Sequence, residues 1–288
     1  MTTLENPLGV HALVWVGDWL PASAKHAISS TANLGFDLIE VPLLDPASID
    51  TAMTRSLLDD HGLQASCSLG LDPDADVSSE DPAVVARGRD LLARAVDVTA
   101  GIGATNLCGV LYSVLAKYPG PISERSRANV VESLAWLAER AAGSGLKVSL
   151  EIVNRYETNV VNTTAQMLAL IAESGADIAV HLDTYHMNIE ENDFATPVHE
   201  AHDAGRLGYV HVGESHRGYM GTGTVDFDTF FSTLREVEYN GPVVFESFSS
   251  AVVHPTLSNS LAVWRNLWDD GEDLARHAHA FMAQRLRA

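Results

Sequence analysis

The chain has 288 residues, of which 18 are Lys or Arg and 38 are Asp or Glu, giving a formal net charge of −20. Hydrophobic residues make up 46% and charged residues 19%, which excludes a disordered chain. Basic residues form no cluster, and a surface that binds nucleic-acid phosphates needs clustered cations. We therefore expect a globular protein without a nucleic-acid partner.

The two cysteines and the first residues indicate the compartment. Cys67 and Cys108 share no short pairing motif, which favours a reducing compartment over a disulfide framework. The chain does not begin with a basic segment followed by an apolar one, so no secretory signal is expected. No apolar run approaches the roughly 20 residues that span a bilayer. The sequence predicts a cytoplasmic protein without a membrane partner.

Short apolar runs bounded by Gly, Pro, Asp or Asn occur eight times along the chain. Near-continuous apolarity is typical of parallel strands that are covered on both faces. The predicted strands cover residues 11–16, 38–41, 64–68, 106–109, 148–151, 178–183, 209–212 and 243–246.

Segments with helical spacing separate these strands. Residues 84–99, 129–142 and 226–237 each place apolar side chains on one face, and a further helix is expected to begin at Thr164. Eight strands alternating with helices predict an α/β protein, a (β/α)8 TIM barrel that forms one domain over residues 1–288. Helical spacing in the last 35 or so residues predicts an extra C-terminal helix. The alternative is an open doubly wound sheet, which is disfavoured because no G-x-G-x-x-G motif follows a strand.

Four potential metal ligands lie at or near the ends of the last four predicted strands. They are Glu151, Asp183, His211 and Glu246. The carboxyl ends of barrel strands meet at one face, and unpaired buried charges there are costly, so a shared cation is expected. Three carboxylates and one imidazole suit Mn²⁺, Mg²⁺ or Co²⁺ better than a structural Zn²⁺. Each residue taken alone has a plainer interpretation, as a solvated strand end, a cap or a core histidine.

Other polar residues follow the same strands and are expected around the ligands. Glu157, His186 and Arg217 lie in loops that can reach over a bound molecule, although a solvated loop cation or a helix start would also explain them. Five residues near strands one, three and four either line the pocket or belong to the apolar core. They are His11, Trp15, Cys67, Cys108 and Tyr112.

Four segments together resemble a known family. They are residues 151–158 (EIVNRYET), 183–191 (DTYHMNIEE), 211–221 (HVGESHRGYMG) and 246–248 (ESF). In order and spacing they are similar to the ketose 3-epimerases, the group of D-tagatose, D-psicose (D-allulose) and L-ribulose 3-epimerases among the xylose-isomerase-like barrels. The resemblance covers essentially the whole chain.

The resemblance implies a site and an assembly. The family binds one divalent ion per subunit, usually Mn²⁺ or Co²⁺, through four ligands. These ligands match Glu151, Asp183, His211 and Glu246. Glu157, His186 and Arg217 match the residues that hold the O1 and O2 end of the ketose. Members of the family form dimers or tetramers, so a homodimer or homotetramer is implied.

The expected reaction is inversion at C3 of a free ketose. The pairs considered are D-fructose/D-psicose, D-tagatose/D-sorbose and L-ribulose/L-xylulose. Glu151 and Glu246 are predicted to be the two acid–base groups, working through a metal-bound cis-enediolate. Two alternatives stay open at this point: an aldose–ketose isomerase on the same barrel, and a non-catalytic barrel that binds metal and sugar.

Overall fold

Eight parallel strands close into a barrel in the computed structural model, which describes residues 5–287. Each strand pairs with its neighbours in chain order, and the first also pairs with the last. The strands are β1 (Leu8–His11), β2 (Leu38–Pro42), β3 (Gln64–Leu71), β4 (Asn106–Val114), β5 (Lys147–Glu151), β6 (Ala179–Asp183), β7 (Leu207–Val212) and β8 (Val243–Phe245). The predicted TIM barrel is confirmed.

Helices pack around the barrel and bury their apolar faces against the strands. They are α1 (Pro21–Asn33), α2 (Thr51–His61), α3 (Pro82–Ile102), α4 (Glu124–Gly143), α5 (Thr164–Ser174), α6 (Thr184–Glu190), α7 (Thr196–Asp203), α8 (Phe227–Glu236), α9 (Pro255–Ser260) and α10 (Gly271–Arg287). The predicted start at Thr164 is confirmed, because the Thr163 side chain accepts a hydrogen bond from the Gln166 backbone N–H and caps α5. None of the helices described is long and apolar enough to cross a membrane.

The first strand differs from its predicted span. It was expected over residues 11–16, but β1 covers Leu8–His11 and a 3-10 turn follows over Ala12–Val14. The imidazole Nδ1 of His11 accepts a hydrogen bond from the Leu13 N–H at 3.2 Å, which ends the strand and starts the turn. An apolar run that continues through both elements hides this boundary.

The C-terminal segment follows the prediction only in its second half. Helix α10 is present, with Leu274, Ala278 and Met282 buried against α8, β1 and β8. Residues 261–270, which belong to the segment with predicted helical spacing, form no helix, and the Trp264 side chain is 73% exposed. The predicted extra helix is therefore confirmed for residues 271–287 alone.

The carboxyl ends of the strands bring the candidate ligands to one face of the barrel. Asp183 is the last residue of β6 and lies opposite His211 on β7, while Glu151 ends β5. Glu246 follows directly after β8, one residue beyond the observed strand. Strand positions alone therefore place all four side chains at the mouth of the barrel.

Candidate active site

Four buried side chains converge where β5, β6, β7 and β8 end. Each of Glu151, Asp183, His211 and Glu246 offers one ligand atom, and these four atoms all lie within 4.8 Å of one another. The Nδ1 atom of His211 is 3.4 Å from Oε1 of Glu246 and 3.8 Å from Oε1 of Glu151. The four residues predicted as ligands are therefore brought together in space.

Two atoms of this cluster fit a cation because nothing in the described chain satisfies them. Asp183 Oδ2 and His211 Nδ1 are buried and have no hydrogen-bond partner. The second oxygen of Asp183 accepts from the Tyr185 backbone N–H at 2.7 Å, which fixes the carboxylate. Buried polar atoms without partners are costly, and a divalent ion would satisfy both. The oxygen-rich donor set suits Mn²⁺, Co²⁺ or Mg²⁺.

The crowded carboxylates have shifted pKa values. Burial raises the pKa of Glu151 to about 8, and the neighbouring charge of Glu246 adds to this shift. Burial and Glu246 likewise raise the pKa of Asp183 to about 6. Each additional negative charge in this buried cluster is therefore unfavourable without a compensating cation.

Arg217 provides one positive charge beside the cluster. Its guanidinium Nη1 lies 3.1 Å from Oε2 of Glu246, and Nη2 lies 3.8 Å from Oε1 of Glu157. The guanidinium carbon is also 3.8 Å from the ring centroid of Tyr185 and 4.7 Å from that of Phe248. Although burial acts to lower the pKa of Arg217, Glu157 and Glu246 hold it above its ordinary value.

The backbone of Arg217 adopts a left-handed conformation with φ of 59°. Its N–H donates to the Glu214 carbonyl at 2.8 Å, and its own carbonyl accepts from Ser247 Oγ at 2.7 Å. The buried carboxylate of Glu214 accepts from the N–H groups of Ser215 and Gly221. These contacts hold a conformation that non-glycine residues rarely adopt, which is typical of functional sites.

His186 and Glu157 are oriented by one asparagine. His186 Nδ1 accepts from the Asn154 backbone N–H at 3.1 Å, so the neutral imidazole carries its proton on Nε2. Nε2 faces the cluster, 3.6 Å from Oε1 of Glu151 and 3.7 Å from Oδ2 of Asp183. The side-chain amide of Asn154 also donates to Oε1 of Glu157 at 2.9 Å. Burial lowers the pKa of His186 and raises that of Glu157.

A cavity of about 890 Å³ opens above the cluster. Its wall on the β5–β8 side carries polar groups, supplied by Glu151, Glu157, His186, Arg217 and Glu246. The wall on the β2–β4 side is mainly apolar and includes Leu43, Leu69, Leu71, Val110, Val114 and Leu115. Asp183 and His211 are not in the lining, so they lie below the residues that border the cavity.

The five residues proposed for the pocket wall separate into two groups. His11 lines the cavity, but Trp15, Cys67, Cys108 and Tyr112 are absent from its lining, so the pocket-wall alternative is corrected for these four. The indole N–H of Trp15 donates to Thr31 of α1, and the Tyr112 hydroxyl donates to the Glu151 carbonyl. Both cysteines are fully buried. Cys67 belongs to the main hydrophobic core while its neighbour Ser68 lines the cavity, and Cys108 packs with Leu38, Tyr209 and Val244.

Sequence reasoning missed the buried carboxylate that contacts His211, Glu40 on β2. Its Oε2 atom accepts from His211 Nε2 at 2.7 Å and from the Tyr209 hydroxyl at 2.8 Å. Although burial acts to raise the pKa of Glu40, the charge of His211 and its hydrogen bond hold that pKa well below its ordinary range. The signal was present in the sequence, since a glutamate inside the apolar run of residues 38–42 breaks the pattern as Glu151 does.

Comparison with known proteins agrees with this geometry. The chain matches the xylose isomerase-like TIM barrel family over residues 28–285. It is 55% identical to the L-ribulose 3-epimerase of Methylomonas sp. (strain DH-1) over 96% of both chains, and 53% identical to the ketose 3-epimerase of Arthrobacter globiformis over 98% of this chain and 97% of that protein. The chain belongs to the ketose 3-epimerase family.

A solved structure of the same family is also similar. The crystal structure of D-allulose 3-epimerase from Methylomonas sp. in complex with D-allulose superposes with a TM-score of 0.95, at 53% identity and 98% coverage of each chain. The predicted family, the xylose-isomerase-like barrel and the isomerase class of a carbohydrate epimerase are confirmed.

Proposed function

We propose that this protein is a ketose 3-epimerase that requires one divalent cation per subunit and inverts C3 of free ketoses. The relatives named above act, by their names, on L-ribulose, D-allulose or ketoses in general, which supports this substrate class. The observation that carries the proposal is the convergence of Glu151 and Glu246 on one buried cluster that also borders the cavity.

Glu151 and Glu246 are the acid–base pair in this proposal. Inversion needs a base that takes the C3 proton on one face of the sugar and an acid that returns a proton to the other face. When one carboxylate breaks the C3–H bond, the electron pair moves towards the C2 carbonyl and leaves an enediolate. The other glutamate, in its protonated form, then donates its proton to C3. The two groups exchange roles when the substrate has the opposite configuration.

The remaining polar groups orient the sugar and stabilise its charge. The Nε2–H of His186 and the guanidinium of Arg217 are donors for the O1 and O2 oxygens, where negative charge develops. Glu157 accepts from a hydroxyl at the same end. Because Asn154 and the rings of Tyr185 and Phe248 already fix these side chains, little reorganisation is needed when the sugar binds.

A divalent cation would be held by Glu151, Asp183, His211 and Glu246, and when bound it supplies Lewis-acid stabilisation of the sugar oxygens. Mn²⁺ is the ion we propose, with Co²⁺ or Mg²⁺ as alternatives, because these ions accept a mixed carboxylate and imidazole set. For the assembly we propose a homodimer or homotetramer, which light scattering of the purified protein would distinguish from a monomer.

Solvent exchange tests the reaction. The Mn²⁺-loaded protein is incubated in D2O with L-ribulose and, separately, with D-fructose, and the sugars are examined by NMR and chromatography. We expect L-xylulose and D-psicose to form with deuterium at C3. Glu246→Gln should retain ketose binding but lose C3 exchange, while Glu139→Gln on the exposed face of α4 should behave as the wild type.

Other outcomes of this experiment would contradict the proposal. Deuterium at C1 in place of C3 would identify an aldose–ketose isomerase. Sugar binding without any exchange would identify a non-catalytic barrel. Exchange at C3 at the wild-type rate in Glu246→Gln would remove Glu246 from the acid–base pair.

A further inference from the structure

Glu40 is a buried carboxylate that the proposed reaction does not use. It lies on β2, fully excluded from solvent, and it is not among the residues that line the cavity. Its Oε2 atom nevertheless contacts the imidazole of His211, with 2.7 Å between Oε2 and Nε2. A charge in the barrel interior is costly unless its neighbours compensate it, so the contacts of Glu40 need an explanation.

The neighbours of Glu40 offer it hydrogens. The Tyr209 hydroxyl donates to Oε2 at 2.8 Å, so the 2.5 Å contact between that hydroxyl and Ser66 Oγ has Ser66 as its donor. On the other side, His11 accepts from the Leu13 N–H through Nδ1, and in the neutral ring this leaves the proton on Nε2. That Nε2 is within hydrogen-bond distance of Ser68 Oγ, at 3.1 Å, and lies 3.4 Å from Oε1 of Glu40, an oxygen without a hydrogen-bond partner in the described chain. The atom that meets His211 is Oε2, which already accepts from Tyr209 and therefore has only the role of acceptor.

The two nitrogens of His211 consequently have different roles. Because Glu40 can only accept, the hydrogen bond at Nε2 requires that Nε2 carry a proton. The free lone pair of the neutral ring is then on Nδ1. This atom is buried without a hydrogen-bond partner and faces the cluster, 3.4 Å from Oε1 of Glu246.

We propose that Glu40 is a positioning residue that fixes the tautomer and the ring orientation of His211, so that Nδ1 is available to a divalent cation. This inference rests on the cation site of the proposed function. Carboxylates that hold the distal nitrogen of a metal-binding histidine typically change metal affinity by 10- to 100-fold when they are replaced. Tyr209 donates a hydrogen bond to Glu40, and Ser66 donates one to Tyr209. Neither side chain forms a hydrogen bond with the four proposed ligands.

The test compares Glu40→Gln with Tyr209→Phe. A glutamine amide can donate to Nε2 of His211, which moves the ring proton to Nδ1, where it opposes a cation. Tyr209→Phe removes the other hydrogen bond to the same oxygen but keeps the contact between Glu40 and His211. Each protein is stripped of metal with a chelator, and its affinity for Mn²⁺ is measured from the EPR signal of the free ion.

We expect the Kd for Mn²⁺ to rise by about 10- to 100-fold in Glu40→Gln and to stay close to the wild-type value in Tyr209→Phe. The Mn²⁺ concentration that gives half-maximal activity should shift in the same way, by a larger factor than kcat. Glu40→Asp keeps the negative charge on a shorter side chain, so its affinity for Mn²⁺ should lie between those of Glu40→Gln and the wild type. This variant replaces Glu40→Gln in the test if Glu40→Gln does not fold.

Two results would overturn the inference. One is an unchanged Mn²⁺ affinity in both Glu40 variants that fold, and the other is an equal loss of affinity in Tyr209→Phe and Glu40→Gln, because a general packing defect would produce it. Failure of the proposed function has a different signature, since the wild-type protein itself would then bind no Mn²⁺ or exchange no proton at C3.

Discussion

Arg217 and Glu246 form a buried ion pair at the edge of the ligand cluster, with 3.1 Å between Nη1 and Oε2. The same glutamate places its other oxygen 3.4 Å from His211. One carboxylate oxygen of Glu246 therefore contacts the guanidinium of Arg217, and the other lies at the position proposed for the metal. This arrangement ties the integrity of the site to the charge on one arginine.

Removal of that charge should destabilise the protein. In Arg217→Met, the carboxylates of Glu157 and Glu246 remain buried without their counter-charge, and we expect the free energy of unfolding to fall by about 3 to 5 kcal/mol. Arg217→Lys keeps the charge but loses the planar contact with two aromatic rings, so its loss should be intermediate. Urea unfolding of the metal-free proteins measures both values.

The exposed pair of Arg276 and Glu272 on α10 provides the control. Arg276→Met should change the free energy of unfolding by no more than about 1 kcal/mol, because water screens an exposed pair. A loss in Arg217→Met as small as that in Arg276→Met would show that the buried pair has no stabilising role.

The metal-free protein should lose stability as the pH rises from about 5 to about 8. The pKa of Glu151 is raised to about 8 and that of Asp183 to about 6, so the folded state holds protons that the unfolded chain has released. Because the unfolded state binds fewer protons over this interval, the free energy of unfolding decreases with pH. His211, whose pKa the charges of Glu40 and Glu246 raise against the opposing effect of burial, acts in the same direction.

Cation binding should reverse this trend. A divalent ion displaces the same protons, so the affinity for Mn²⁺ should increase with pH, and Mn²⁺ at about 100 times its Kd should add about 2.7 kcal/mol of stability. Urea unfolding at pH 6, 7 and 8, with EDTA or with Mn²⁺, measures both effects. In metal-free Glu151→Gln, the free energy of unfolding should depend less on pH than in the wild type. A free energy of unfolding that increases with pH in the metal-free wild type would contradict the raised pKa values.

Gly109 on β4 should not tolerate a side chain. Its φ is 106°, and a Cβ atom at this position would lie 2.6 Å from the Leu69 carbonyl oxygen on β3. Gly109→Ala combines an unfavourable backbone conformation with a backbone clash, and we expect a loss of about 1 to 3 kcal/mol in the free energy of unfolding. A Cβ on Gly120 would meet no atom within 4 Å, so Gly120→Ala should be at least as stable as the wild type. Equal unfolding midpoints for the two variants would contradict this reading of the strand.

The sequence predicted the barrel and the ligand cluster because both depend on local patterns. Glu151 and Asp183 end short apolar runs, and a carboxylate at such a place is visible without any knowledge of the fold. The rule that barrel strands meet at their carboxyl ends then brings distant residues together. The start of α5 at Thr164 was predicted for the same local reason.

The parts that were not predicted depend on contacts between distant elements. The sequence left Cys67 open between the pocket wall and the core, because which strand neighbour faces the cavity depends on the register, and a shift of one residue reverses it. The contact of Glu40 with His211 joins β2 to β7, which no spacing in the sequence reveals. The end of β1 depends on how the His11 side chain bonds to the backbone.

The apolar wall of the cavity lies apart from the residues proposed for proton transfer. Leu43, Val110 and Leu115 line the cavity but form no part of the cluster of Glu151, Asp183, His211 and Glu246, so changes there alter the volume of the cavity without replacing a residue of the proposed acid–base pair. Under the proposed function, libraries confined to the leucine and valine side of the barrel should change which ketoses fit while they leave the acid–base pair intact.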